Sequence, residues 1–252
     1  MKSKYKPKNK QIFTYIFNFS LITILIIIGF FGVFSYDSVK AIVEFNIYLP
    51  LIMKAEPTPE PEGVYILPNH TSHVSSIDYL VIYGEVMNNT NFNLRFVRIH
   101  ANVFNSNGQL LDTDYTYTRL DNVPAGDKAC FRMSHPAPEG WAYYEFEPVS
   151  YKTDGEPLPN LLVFNLSGRY KTTTGSYEII GQITNNHGSK VSWVRPVGTL
   201  YNASNQVVGC DFTYVNGTDL EAGETSSFKM TTTGRDYSDV TNYTIQIDGN
   251  PE

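Results

Sequence analysis

The chain has 252 residues, 17% of them charged and 14% aromatic, with a formal net charge of −6 and a pI near 5.4. Lys and Arg are not clustered beyond the first ten residues, so nucleic acid, which needs a basic face, is excluded as an expected partner. The two cysteines, Cys130 and Cys210, are too few for a disulfide framework and fit no zinc spacing, so they read as two separate thiols.

In chain order, residues 1–10 carry five lysines and no acid, and from Gln11 to Tyr36 there is no charge. The 23 apolar residues 12–34 would span about 34 Å as a helix, enough for a hydrocarbon core of roughly 30 Å. The run exceeds the roughly 7–15 residues of a cleavable signal peptide, and no small-x-small cut site follows it. The expectation is a basic cytoplasmic segment at 1–10 and an uncleaved transmembrane signal-anchor at 11–36. That places a single-pass protein in the cell membrane, its N-terminus cytoplasmic and its bulk extracytoplasmic. Residues 37–62 then form a Pro/Glu-rich spacer, extended through AEPTPEPEG.

Beyond the spacer the chain repeats itself. Shifted by 97 with no gap, residues 84–133 match residues 181–230 at 14 of 50 positions. Gly84 falls on Gly181, Asn88-Asn89 on Asn185-Asn186, Asn105 on Asn202, Asp114 on Asp211, and Phe131 and Met133 on Phe228 and Met230. A period of this length is domain-sized, which predicts tandem domains at 63–152 and 158–250 joined by a linker at 153–157.

Within each copy the hydrophobic period is two, the signature of strands. In the first strand Ile82, Gly84 and Val86 are expected to face inward, and Val81, Tyr83, Glu85 and Met87 outward. Pro196 in the next strand predicts an edge position or a bulge, because proline cannot donate to a ladder. The following turns, NSNGQLL and NASNQVV, place Gly108 against Asn205, two residue types that accept positive φ. Phe131, Met133, Phe228 and Met230 are expected in the core, with Cys130 alternating to the outer face where the copy has Ser227. The fold class is therefore all-β, with two tandem immunoglobulin- or fibronectin-like antiparallel sandwiches after one N-terminal transmembrane helix.

The unit G-E-V-x-N-N, then a strand ending hydrophobic-aromatic-Asn, then a turn glycine and Phe, resembles the FxLYD domain of bacterial and archaeal extracytoplasmic proteins. The residues that carry the resemblance are Gly84, Asn88, Asn89, Val103-Phe104-Asn105, Gly126 and Phe131, and their counterparts in the second copy. Both copies have Asn where the family name has Asp. The resemblance implies a fold and an extracytoplasmic location, and no catalytic residues.

Among candidate sites, His70 and His73 form an H-x-x-H pair without a third ligand of the right type, and read as a polar surface loop. The stretch from Asn105 lacks the Gly and Glu of a calcium loop and reads as a hairpin turn. Asp114 and Asp211 are equivalent, so a shared structural hydrogen bond is the expected role. Asn-x-Ser/Thr occurs at Asn69, Asn88, Asn165, Asn202, Asn216 and Asn242, acceptors only where a glycosylation machinery exists. No catalytic, metal or cofactor motif emerges, and no small-molecule cofactor is expected. The expected function is binding, adhesion or spacing at the cell envelope without catalysis, with an envelope protein or polysaccharide as partner. The alternatives are an envelope hydrolase or an accessory subunit of an envelope or secretion complex. The candidate binding face is aromatic: Phe96 and Phe104 in the first copy, Trp193 and Tyr201 in the second.

Overall fold

A computed structural model describes residues 62–252. The basic segment, the signal-anchor and nearly all of the spacer lie outside the described residues. Among the described residues there is no helix, and the strands form several antiparallel sheets.

The first repeat builds two sheets. In one, β3 (Tyr79–Asn89) is central, with β1 (Gly63–Ile66) and β2 (Thr71–Val74) along one edge and β7 (Lys128–Pro136) along the other. In the other, β4 (Leu94–Asn105) is central, flanked by β5 (Leu110–Tyr117) and β6 (Asn122–Val123), and by β8 (Trp141–Phe146) and β9 (Ser150–Lys152). The second repeat builds the same pair from fewer, longer strands. One sheet runs β10 (Leu161–Lys171), β11 (Ser176–Asn185), β14 (Thr225–Thr232); the other runs β13 (Val207–Phe212), β12 (Val191–Asn202), β15 (Val240–Pro251).

The 97-residue offset holds down to the irregularities. The gap between β1 and β2 falls on the bulge of β10 between Phe164 and Ser167. The register shift in β4 between Arg95 and Arg98 falls on that in β12 between Ser192 and Arg195. Pro196 follows this second shift inside a central strand, so it marks a bulge and not an edge. The turn after each central strand is also the same. Asn105 Oδ1 accepts from the N–H groups of Asn107 and Gln109, and Asn202 Oδ1 from those of Ser204 and Gln206, each at 3.0 Å. Gly108 and Asn205 take positive φ at equivalent places, 77° and 60°.

Two repeated residues have packing reasons. Gly84 pairs in register with Phe131, and a Cβ there would stand 2.5 Å from the Phe131 ring; Gly181 and Phe228 repeat this at 2.8 Å. Each phenylalanine lies across a glycine that leaves room for it. Asn88 is fully buried, and its Nδ2 donates to the carbonyls of Phe92, Val123 and Pro124 at 2.8–3.0 Å. Asn185 is equally buried and donates to Ser189 and Leu220 at 2.8 and 2.9 Å. Each amide donates to carbonyls of two separate loops, so these Asn residues clamp the loops together. Asn88 is therefore no accessible glycan acceptor.

Phe131, Met133, Phe228 and Met230 are buried, as the alternation predicts. The outward residues of β3 differ from expectation: Val81, Tyr83 and Glu85 are each at most 2% exposed. The reason is the second repeat. Val197, Tyr201, Val207 and Cys210, from the outer face of the β13-β12-β15 sheet, join the hydrophobic cluster of the first repeat. Cys130 does alternate to the outer face, beside Glu85, but it is not an idle thiol. It forms a disulfide with Cys210, which corrects the expectation of two separate cysteines. The described residues accordingly lie in one compact unit.

Polar contacts seal this junction. Tyr201 donates its hydroxyl to Glu85 Oε1 at 2.6 Å, and Glu85 Oε2 accepts from Lys128 Nζ at 3.0 Å and Asn69 Nδ2 at 2.9 Å. Burial works to lower the Lys128 ammonium, but its hydrogen bonds to Glu85 and Tyr201 outweigh that and hold it above its ordinary value. The Tyr83 and Tyr237 hydroxyls meet at 3.0 Å, and burial pushes the Tyr237 phenol well up.

Candidate functional site

Of the four aromatics expected on a binding face, two are turned to solvent. Tyr201 is 3% exposed and spent on the junction with Glu85, so it cannot join a surface. Phe104 is half-buried, stacked on Tyr143 with ring centroids 5.2 Å apart. Phe96 and Trp193 are 55% and 58% exposed.

These two share an unusual backbone. Both sit at the register shift of a central strand, with φ of 52° and 56°. A bulky residue in the left-handed region costs of order 1–3 kcal/mol, and such strain clusters where a side chain must be aimed. The bulge takes each ring out of the ladder and turns it to solvent. The Trp193 N–H finds a partner outside the ladder, donating to Asp219 Oδ1 at 3.1 Å, and that bond is the main reason the Asp219 carboxyl is lowered.

Each exposed ring belongs to a cluster. In the second repeat Trp193 packs against Tyr214 at 6.1 Å, Tyr214 lies edge-on to Phe212, and Arg195 lies over Phe212 at 4.9 Å. In the first repeat the equivalent Arg98 lies over Tyr115 at 5.3 Å, and Tyr115 meets Tyr117 edge-on at 6.0 Å. Arg95 and Lys152 each stand 5.2 Å from the Phe96 ring centre.

Three adjoining clefts connect the clusters. One, of about 360 Å³, is lined by Phe96, Tyr117, Tyr151 and Arg98. It shares Phe96 and Tyr117 with the largest, of about 620 Å³, which continues past Asn122, Glu156, Asp121 and Asn250. That cleft shares Asp121 and Asn250 with a third, of about 140 Å³, at Trp193 and Tyr214. The three form one groove that begins on the first repeat and ends on the second.

Two of the cations along the groove, Arg95 and Arg195, are tied to carboxylates. Arg95 grips Asp154 with both arms of its guanidinium. Arg195 donates to Asp248 at 2.7 Å and to the Arg119 carbonyl at 3.0 Å, and pairs with Asp121 at 2.9 Å. Burial pushes the Asp248 carboxyl up, while its bonds from the Asp121 N–H and from Arg195 pull the other way. All of Asp248's visible bonds hold neighbouring chain in place, including the Gly249 N–H at 3.0 Å, so it fixes the groove floor where the repeats meet.

The remaining candidates are accounted for locally. His70 Nδ1 lies 2.8 Å from the Tyr144 hydroxyl, and His73 stacks on Tyr83. Burial is the first cause lowering both imidazoles. Asp114 and Asp211 each accept the N–H of the next residue, Tyr115 or Phe212. Among the described residues no three His, Cys, Asp or Glu side chains gather to hold a metal ion. Sequence reasoning missed Tyr117, Tyr151 and Tyr214 as groove residues, although the Thr116-Tyr117 and Thr213-Tyr214 match carried the signal for two of them.

No family model matches the chain, and no curated protein matches it. Among solved structures, a transglutaminase from red sea bream is similar at a TM-score of 0.24 and 11% identity, over 75% of this chain and 29% of that one. Two structures of an exo-chitosanase from Amycolatopsis orientalis are similar at a TM-score of 0.25 and 13–14% identity, over 75% of this chain and 25% of theirs. The chain thus spans between a quarter and a third of those proteins, and likeness at this level does not define a shared fold.

Proposed function

We propose that this chain is a single-pass, membrane-anchored extracytoplasmic protein whose two tandem FxLYD-like, immunoglobulin-type sandwiches bind a component of the cell envelope without catalysis. The carrying observation is the pair Phe96 and Trp193: equivalent, strained, solvent-facing, and at two stations of one groove. The disulfide supports the location, because such bonds form and persist in oxidising compartments outside the cytosol. The apolar run 12–34 and the Pro/Glu spacer supply anchor and stand-off. Two of the three groove carboxylates, Asp121 and Asp248, are engaged by Arg195, which does not favour a pair of free catalytic carboxylates there.

The test is saturable binding of the full-length protein to isolated envelopes of its own cell, beside a Phe96→Ser/Trp193→Ser variant matched in circular dichroism and in disulfide content. Binding by the parent and a loss of at least about tenfold in the variant is the expected result. Equal binding by both, or none by the folded parent, would contradict the proposal.

A further inference from the structure

The same set of residues occurs in both repeats, and its Phe96, Tyr117, Trp193 and Tyr214 rings line the groove. Phe96, Tyr117 and the Arg98–Tyr115 pair recur, 97 residues on, as Trp193, Tyr214 and the Arg195–Phe212 pair. Two copies of one site along one groove suit a ligand that itself repeats. The chemistry of the walls narrows the class. Aromatic rings more than half exposed stand along the groove, and between them are planar hydrogen-bonding groups: the amides of Asn122 and Asn250 and the carboxylate of Glu156. A pyranose ring presents an apolar C–H face and a rim of hydroxyls, which matches an aromatic face edged by amides and carboxylates.

Charge argues the ligand's sign. Around the groove the cations Arg95, Arg98, Lys152 and Arg195 stand against Asp121, Asp154, Glu156 and Asp248, and Arg95 and Arg195 are tied directly to carboxylates. A strongly charged polymer would have to break these pairs to engage Arg95, Arg195 or their carboxylates, whereas a neutral one leaves them whole. We infer that the groove from Tyr151 to Trp193 binds a neutral glycan chain of repeating pyranose units, with Phe96 and Trp193 as its two stacking platforms. This rests on the binding reading above and names its ligand class.

Bivalence gives the inference its signature. A chain long enough to reach both platforms gains from effective concentration, while a short one meets only one of them. The experiment uses full-length protein in a sugar-free detergent and reads Trp fluorescence and calorimetric heat. The probes are cellobiose and chitobiose, cellohexaose and chitohexaose, the anionic polymer polygalacturonate, and an uncharged Gly-Tyr-Pro-rich peptide. The expected result is that a neutral hexasaccharide binds at least about tenfold more tightly than its disaccharide. Phe96→Ala and Trp193→Ala should each remove that chain-length advantage, and Phe96→Tyr should retain it. Because both rings are exposed, neither substitution is expected to affect folding, which circular dichroism checks. Three outcomes overturn the glycan inference: no neutral hexasaccharide binds, the length dependence survives both alanine variants, or polygalacturonate or the peptide binds in preference. If envelopes still retain the parent and not the Phe96→Ser/Trp193→Ser variant while the hexasaccharides fail, the ligand class is wrong and the binding function stands. If envelopes are also ignored, both fall.

Discussion

The outer face of the β13-β12-β15 sheet and the equivalent face of the β4 sheet descend from one pattern and have opposite fates. In the second repeat this face carries Val197, Tyr201, Val207 and Cys210, and it is buried against the first repeat. In the first repeat the same places hold His100, Phe104, Leu110 and Thr113, and the face stays open, with Leu110 53% exposed. The partner faces diverge in parallel. Val81, Tyr83 and Glu85 on β3 are covered, whereas at the matching places on β11 Ile180 is exposed and Glu178 is surrounded by cations. One junction has been made from four similar faces. A cysteine on each marks the two that meet, where the two left outside have Thr113 and Ser227.

The comparison can be broken at its strongest point first. The disulfide closes a loop with a sequence separation of 80, so Cys130→Ala with Cys210→Ala should cost about 4 kcal/mol by chain entropy, read by denaturant unfolding. Replacing the uncrosslinked counterparts, Thr113 and Ser227, by Ala should cost less than about 0.5 kcal/mol. Next come the buried amides. Asn88→Ala removes three donated and two accepted hydrogen bonds and should cost about 3 kcal/mol, and Asn185→Ala, which removes two donated and one accepted, about 2 kcal/mol; reversal of that order in thermal melts would overturn the clamp account. Tyr201→Phe strips a hydroxyl from buried Glu85 and should lose about 1–2 kcal/mol, whereas Phe104→Tyr, on the open face, should change stability by less than about 0.5 kcal/mol.

The smallest effect is one of pH. The hydrogen bonds from Lys229 and Arg169 hold Glu178 at about 2, against an ordinary value of 4.5. A depressed carboxylate stabilises the fold above its unfolded pKa, and that contribution disappears as pH falls through the folded one. The loss should therefore lie between pH 4.5 and about 2, and Glu178→Gln should flatten the acid limb of the stability curve there while leaving its shape near pH 7 unchanged.

What was legible in the sequence follows from range. The turns at Asn105 and Asn202 could be read because their bonds reach no further than four residues, and Gly or Asn at the positive-φ place is local chemistry. The role of Asn88 was half legible: its residue type signalled side-chain bonding, but the Val123 and Pro124 carbonyls lie 35 and 36 residues away. The disulfide and the burial of Tyr201 were not legible, for a shared reason. Alternation tells which face a residue takes, and Cys130 did take the outer one, but it cannot tell that another repeat covers that face. The duplication located Phe96 and Trp193 as equivalents. It could not show the left-handed backbone that exposes them, because a bulge is set by the neighbouring strands.

The central claim is that the two repeats unfold as one body because the second supplies part of the first one's core and is crosslinked to it. Scanning calorimetry of the oxidised protein tests this most directly, with the enthalpy measured both by area and by the shape of the transition. The account expects one cooperative transition covering both repeats, with the two enthalpies equal. Two separable transitions in the oxidised protein, each carrying the enthalpy of about ninety residues, would contradict it.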